Sequence, residues 1–305
     1  MSKTSQRIEA RTSILGEGML IRRALPSREQ RMIGAWCFLD HAGPVDVSQG
    51  EGMRVGPHPH IGLQTFSWLI EGEVLHRDSL GYEQLLRPGQ VNLMTAGQGI
   101  SHSEESPAQR PPTLHLAQLW IALPDSHRHS VPAFQHYPDL PIFAAGGFTA
   151  TLLVGELNQH VSPVAVHSPL LGLDLSATTA ASAVIPLRAD FEYGVLVLEG
   201  NVEITEATQS EALASGTLLY LPPGQTKLDL HCKAAARVLL IGGTPFEENV
   251  LLWWNFVGRT RDEIAAATAT WNGRTGADTV FGDVPGYVGS ALVAPAVPTE
   301  IRSSR

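Results

Sequence analysis

The sequence predicts an all-β fold built from two similar antiparallel modules. Three observations carry that prediction. Short apolar or alternating runs are cut by turn residues, the pattern recurs at an offset of 128 residues, and helical periodicity is scarce. With 305 residues, 43% of them hydrophobic, the chain is long enough for two domains of about 150 residues each.

Residues 1–11 are polar and carry both signs of charge without an apolar stretch, so no secretory signal is read there and a cytoplasmic location is expected. Between residues 55 and 122, strands are predicted at 65–70, 74–76, 84–86, 91–94 and 114–119. Glu71-Gly72, Leu80-Gly81 and Pro88-Gly89 punctuate them as turns. Strands this short, joined this tightly, suit a sandwich or small barrel better than alternating βαβ units. Residues 123–143 are rich in Pro and His and read as an irregular crossover, placing the domain boundary near residue 140: an N-terminal module over 1–140 and a C-terminal one over 141–305. In the second module Val195-Leu-Val-Leu-Glu-Gly200 echoes Ser67-Trp-Leu-Ile-Glu-Gly72. Gly216-Thr-Leu-Leu-Tyr-Leu-Pro-Pro-Gly224 likewise echoes Gly89-Gln-Val-Asn-Leu-Met-Thr-Ala-Gly97. One terminal helix is predicted over 260–269, where Thr260-Arg-Asp-Glu263 has the form of a capping box. Residues 284–305, without clear period, read as a tail along the surface.

Composition excludes several function classes. The net charge of -9 argues against gripping a phosphate backbone or an anionic membrane. The longest apolar runs fall far short of the roughly 20 residues that cross a bilayer. The two cysteines, Cys37 and Cys232, lack a CxxC spacing and are expected as buried thiols. No GxSxG elbow or Walker-type loop occurs, and Gly97-Gln-Gly-Ile-Ser-His102 lacks the final glycine of a dinucleotide fingerprint.

The chemistry concentrates in two short motifs. In a strand, residues i and i+2 share a face, so His58-Pro-His60 presents two imidazoles to one cavity. His102-Ser-Glu104 follows a glycine-rich turn and adds an imidazole and a carboxylate on the same rule. Either pair alone is weak in a chain with 12 histidines. Together, in adjacent strand-rich segments of one module, they point to one metal, since imidazole is a favoured ligand of divalent transition ions.

At these residues the sequence strongly resembles the pirin family of the cupin superfamily. The resemblance rests on His58-Pro-His-Ile-Gly62, Glu71-Gly-Glu-Val-Leu-His-Arg-Asp-Ser-Leu-Gly81 and Met94-Thr-Ala-Gly-Gln-Gly-Ile-Ser-His-Ser-Glu104. It continues through Gln118-Leu-Trp-Ile-Ala-Leu-Pro124 and Arg237-Val-Leu-Leu-Ile-Gly-Gly-Thr-Pro245, covering most of residues 30–265. It implies a bicupin: two antiparallel β-barrels or jelly rolls with a short C-terminal helix. It further implies one iron-type metal in the N-terminal barrel, held by His58, His60, His102 and Glu104. Many cupins place a glutamate a few residues after HxH, but Gln64 stands here, so the carboxylate is expected from Glu104. In the second module His58 and His60 align with Pro186 and Arg188, and, with a one-residue shift, His102 and Glu104 align with Asp229 and His231. Those residues make a poor site, and one metal per chain is expected.

Other residues have weaker claims. His76 and Asp78 either line the pocket and orient ligands or sit on an exposed hairpin. His41, beside Asp40, suits structural hydrogen bonding. Trp36, Phe38, Phe66, Trp68 and Trp120 are core aromatics that can also pack around an aromatic substrate. His127, His129 and His136 are expected on the surface of the crossover.

A three-histidine, one-carboxylate site with open positions suits Fe(II), with Mn, Ni, Co, Cu and Zn as competitors. The resemblance implies a dioxygenase that takes O2 and a flavonol- or catechol-like aromatic substrate, as family members described as quercetinases do, with Glu104 as ligand and catalytic base. The alternative it implies is a redox-sensing regulator whose metal state governs a protein partner. A closed structural metal is disfavoured without thiolates. No nucleic acid or membrane partner is expected, and a monomer is expected from the two-barrel organisation.

Overall fold

The computed structural model describes residues 4–16, 18–206, 209–274 and 280–304. Antiparallel strands dominate, with a single helix, Arg261–Asn272, among the described residues. That helix starts where the capping box places it. The Thr260 hydroxyl accepts from the Glu263 amide, and the Glu263 carboxylate accepts from the Thr260 amide. It runs to Asn272, beyond the predicted end at 269. No helix among the described residues is long and apolar enough to cross a membrane.

The chain divides into two units, and neither is a continuous segment. One comprises Met1–Thr12, Arg22–Leu39 and Asp139–Phe246; the other comprises Ser13–Ile21, Asp40–Pro138 and Glu247–Arg305. A single cut near residue 140 therefore does not describe the units. The N-terminal strand Gln6–Glu9 pairs with Thr217–Leu221, capping an edge that would otherwise present unpaired backbone groups. The helix and tail, expected with the second module, pack with the first. Phe256, Ile264, Trp271, Phe281 and Ala294 form a buried cluster there, and the Leu292 amide donates to the Pro57 carbonyl.

In the unit holding residues 40–138, a four-stranded sheet runs Arg54–His60, Ile100–Glu105, Val74–Asp78, Glu83–Leu86. A longer sheet runs Ala133–Tyr137, Val91–Thr95, Leu63–Glu71, Thr113–Ala122 and onward through Trp36–Asp46. Leu69, Val74, Leu86, Leu114 and Leu116 form part of the apolar core of this unit. The segment expected as irregular crossover contributes the strand Ala133–Tyr137, whose alternation of exposed and buried residues lets it pair with Val91–Thr95.

The other unit repeats the four-stranded arrangement as Ala181–Pro186, Lys227–Cys232, Asn201–Glu206, Gln209–Ala214. Leu230 pairs with Ile204 as Glu104 pairs with His76, and Leu228 pairs with Ile185 as His102 pairs with His58. The equivalence is therefore His102 with Leu228 and Glu104 with Leu230, not Asp229 and His231. Leu228 follows Gly224 by four residues where His102 follows Gly97 by five, so the flanking turns misplace the strand by one residue, and a slip of one residue exchanges the faces. Asp229 pairs with Lys227, and His231 bonds to the Ser182 hydroxyl, away from the core. Ala183, Ile185, Val202, Ile204, Leu228 and Leu230 fill the interior instead.

The inward and outward faces of Lys227–Cys232 differ in energetic weight. Leu230→Ala is expected to cost about 2–5 kcal/mol, while His231→Ala stays within about 0.5 kcal/mol. Urea unfolding of the two variants checks the assignment, and equal losses would refute it.

Candidate metal centre

The site is assembled by three strands of the four-stranded sheet. Ile100–Glu105 lies between Arg54–His60 and Val74–Asp78, with His102 opposite both His58 and Asp78 and Glu104 opposite His76. The period of two then brings His58, His60, His102, Glu104, His76 and Asp78 to one face. The register against Arg54–His60 shifts between His102 and Glu104. Gly56 and Pro57 stand at that shift, where a residue without an amide proton belongs. A Cβ on Gly56 would approach the Ser290 carbonyl at 2.8 Å, so the tail lies too close for a side chain there.

His58, His60 and His102 form one group of candidate donors; His76, His102 and Glu104 form a second, in each case with all donor atoms within 4.8 Å of one another. His102 belongs to both. The expected quartet is thus found on one face, with Glu104 grouped with His102 and His76. His76 and Asp78 are buried, not on an exposed hairpin: Asp78 is 0% exposed.

Each imidazole has a specific anchor. His58 Nδ1 donates to the Gly56 carbonyl at 2.8 Å, and His60 Nδ1 donates to the Asn255 carbonyl at 2.9 Å. A carbonyl only accepts, so in the neutral rings the proton resides on Nδ1 and Nε2 carries a bare lone pair. His60 Nε2 stands 3.0 Å from His102 Nε2. Burial pushes the His58 imidazole down to about 4, and burial together with the neighbouring rings pushes His60 and His102 well below the ordinary range. The rings are therefore neutral near pH 7, the form that ligates a metal. Lone pairs crowded together without a proton between them are the arrangement a divalent cation satisfies. The donor set fits one.

Burial raises the Glu104 carboxyl, countered by His76 and by the Ser67 hydroxyl, which reaches Oε1 at 3.3 Å. Ser67 also lies 2.7 Å from Gln118 Oε1, tying Glu104 to the facing sheet. Gln64 is on the opposite face from Ser67 by strand alternation, and its amide donates to Thr95 at 2.9 Å. It is not at the centre in any orientation of its side chain that keeps this bond.

Of the candidate aromatics, Trp120 stands edge-on to His60 at 5.1 Å between ring centroids. Trp36 instead donates to the Gly242 carbonyl, Phe38 lies beneath Arg23, and Phe66 and Trp68 share the Gln64 face. His41 pairs with His115 at 2.8 Å, a structural contact. Phe134, unmarked in the sequence, stacks on His76 at 4.4 Å. Its signal was the alternation within 133–137. From the same strand, His136 is half-buried and bonds to Asn92, while His129 is exposed and His127 bonds to Ser126.

Two antiparallel barrels, one with a histidine-lined interior and the other apolar, define a bicupin. Comparison with known proteins agrees. The Pirin pattern matches residues 18–121 and the Pirin C-terminal cupin domain matches residues 172–276. A Pseudomonas aeruginosa protein provisionally named quercetin 2,3-dioxygenase is 50% identical over 97% of this chain and 91% of its own. A pirin-like protein of Caulobacter vibrioides is 37% identical over 86% and 91%. The chain belongs to the pirin family. Among solved structures, a quercetin 2,3-dioxygenase from Acinetobacter baumannii superposes with a TM-score of 0.94 at 50% identity, covering 99% of this chain and 98% of that one. A bacterial pirin from Escherichia coli in complex with nickel(II) shares the fold with a TM-score of 0.62, at 21% identity over 79% of this chain and 100% of that one.

Dialysis against Ni(II) followed by elemental analysis is expected to give one ion per chain, and His58→Ala or His60→Ala to lose it. Gln64→Glu is expected to leave that ratio unchanged and to lower the thermal midpoint, because it buries a carboxylate on an apolar face. Tighter metal binding by Gln64→Glu would contradict the placement of that residue.

Proposed function

We propose that His58, His60 and His102, with Glu104 as fourth donor, hold one divalent metal, Fe(II) foremost, in a mononuclear dioxygenase. Its substrate class is a flavonol- or catechol-like aromatic. The observation that carries this reading is the convergence of three buried, neutral imidazoles, two of which, His58 and His60, commit their Nδ1 protons to backbone carbonyls. The quercetin 2,3-dioxygenase names of relatives at 50% identity support the substrate class.

Bound there, the metal supplies a Lewis acid for a substrate oxygen and, as Fe(II), a source of electrons for O2. The protein's own groups do the rest. Glu104, only partly buried and with its carboxyl raised by desolvation, accepts the proton of a substrate hydroxyl more readily than an ordinary surface carboxylate does. The Ser67 hydroxyl shares its one proton between Gln118 Oε1 at 2.7 Å and the Glu104 carboxylate at 3.3 Å, and its oxygen can accept from Glu104 once that carboxyl is protonated. Trp120 offers an aromatic surface beside His60 on which a planar substrate can lie.

Protein reconstituted anaerobically with Fe(II) is expected to consume O2 with quercetin, and a His58→Ala/His102→Ala double variant to consume none. Glu104→Gln should keep much of the metal while turnover falls by about 10²–10⁴-fold. Full activity in that variant removes the base role. Stoichiometric metal without oxygen uptake overturns the enzymatic reading and favours a redox sensor that acts through a protein partner.

A further inference from the structure

We propose that Asp78 and His76 are positioning residues that fix the tautomer of His102, a relay that rests on the metal-site reading above. His102 differs from the other two histidines. Its Nδ1 meets no carbonyl; the nearest partner is His76 Nδ1 at 3.4 Å, the long end of a hydrogen bond. His76 Nε2 in turn lies 3.0 Å from Asp78 Oδ2. Asp78 Oδ1 is taken by the backbone amides of Leu80 and Tyr82 at 2.9 and 3.1 Å.

With His76 as the neutral ring, the direction of every bond in this chain follows from the Asp78 end. The Asp78 carboxylate only accepts, so His76 donates from Nε2. The other nitrogen of a neutral His76 is an acceptor, so His102 donates from Nδ1. His102 Nε2 is left bare, and it is the atom facing His60 Nε2. The relay thus does for His102 what the Gly56 and Asn255 carbonyls do for His58 and His60. Phe134, stacked on His76 with an interplanar angle of 15°, keeps the ring plane from turning. All the members are buried, with His102 at 1%, His76 at 2% and Asp78 at 0% exposure, so no solvent molecule substitutes freely for a missing partner.

Asp78→Asn tests the relay by reversing it. The two backbone amides keep the Asn oxygen on their side, so its NH2 faces His76 and donates. His76 Nε2 must accept, its Nδ1 carries the proton, and His102 is driven to place its proton on Nε2, where it blocks the metal. Competition with a chelator is expected to show Ni(II) bound about 10–100-fold more weakly than by wild type, the usual cost of losing such support. Two-bond proton–nitrogen correlation spectra of the metal-free protein read the tautomer directly. Wild-type His102 should be the Nδ1-protonated form and Asp78→Asn the Nε2-protonated form.

A conservative pair keeps the test decisive if Asp78→Asn fails to fold. In His76→Gln the amide oxygen accepts from His102 and the NH2 donates to Asp78, so Ni(II) affinity should stay near wild type, whereas His76→Leu should lose it. Equal losses in Gln and Leu variants overturn the relay, as does a wild-type His102 protonated on Nε2, or unchanged Ni(II) affinity in a folded Asp78→Asn protein. Wild-type protein that binds no Ni(II) refutes the metal reading instead, and the spectra still decide the tautomer.

Discussion

The centre depends on the register of one strand. Ile100–Glu105 is hydrogen-bonded on both sides, to Arg54–His60 and to Val74–Asp78, and that pairing aligns three copies of one pattern: His-x-His, His-x-Glu and His-x-Asp. Because side chains alternate, a slip of one residue would turn His102 and Glu104 outward and leave Ser101 and Ser103 facing His58. Both serines are buried. The bulge at Gly56 and Pro57 lets the strand bend without transmitting a slip to His58 and His60.

The second barrel shows what the same framework holds when no donor atoms are called for. At the positions of His58 and His102 it carries Ile185 and Leu228, inside a continuous apolar core. Burying an imidazole in such a place costs unless its polar nitrogens are partnered. In the first barrel each ring has a partner: Gly56 for His58, Asn255 for His60 and His76 for His102. The Lys227–Cys232 strand keeps its polar residues on the outer face, where Lys227 and Asp229 pair across partly exposed side chains. Fold and chemistry are thus separable: the strands and turns recur, and only the inward alternate positions decide whether a barrel can hold a metal.

Much of this was legible in the sequence because it is local. Alternation marked the strands, Thr260 and Glu263 marked the start of the helix, and His58, His60, His102 and Glu104 stand at i, i+2 spacings that need no knowledge of tertiary pairing. What escaped depends on partners distant in sequence. His76 and Asp78 read equally well as a surface hairpin until Val74–Asp78 is seen paired with the central strand. Phe134 lay in a Pro- and His-rich stretch whose strand forms only against Val91–Thr95. The apparent match of Asp229 and His231 to the metal strand came from aligning turns, whereas register is fixed by the ladder. The N-terminal strand and the tail gave no hint of their units, since edge pairing and hydrophobic clustering are not periodic signals.

The tail is more than a covering of the first barrel. The carbonyl that orients His60 belongs to Asn255, at the turn of the small hairpin Leu251–Trp253 and Phe256–Gly258. Trp254 in that turn has φ of 50°, a left-handed conformation that suits glycine and costs a bulky residue of order 1–3 kcal/mol. Such a conformation persists only where its surroundings over-determine it. Here Phe256 is fully buried, bridges to Ile61 beside His60, and packs edge-on against the Trp254 ring at 5.6 Å. The Val257 amide donates to the Ile61 carbonyl, and a Cβ on Gly62 would strike the Val257 carbonyl at 2.2 Å, so the two segments lie backbone to backbone. The strained turn is therefore clamped to the strand end that carries His60. Its carbonyl is presented to that ring by the same contacts that hold the C-terminal segment in place. A segment distant in sequence, without a ligating residue of its own, thereby sets the tautomer of a histidine in the first barrel.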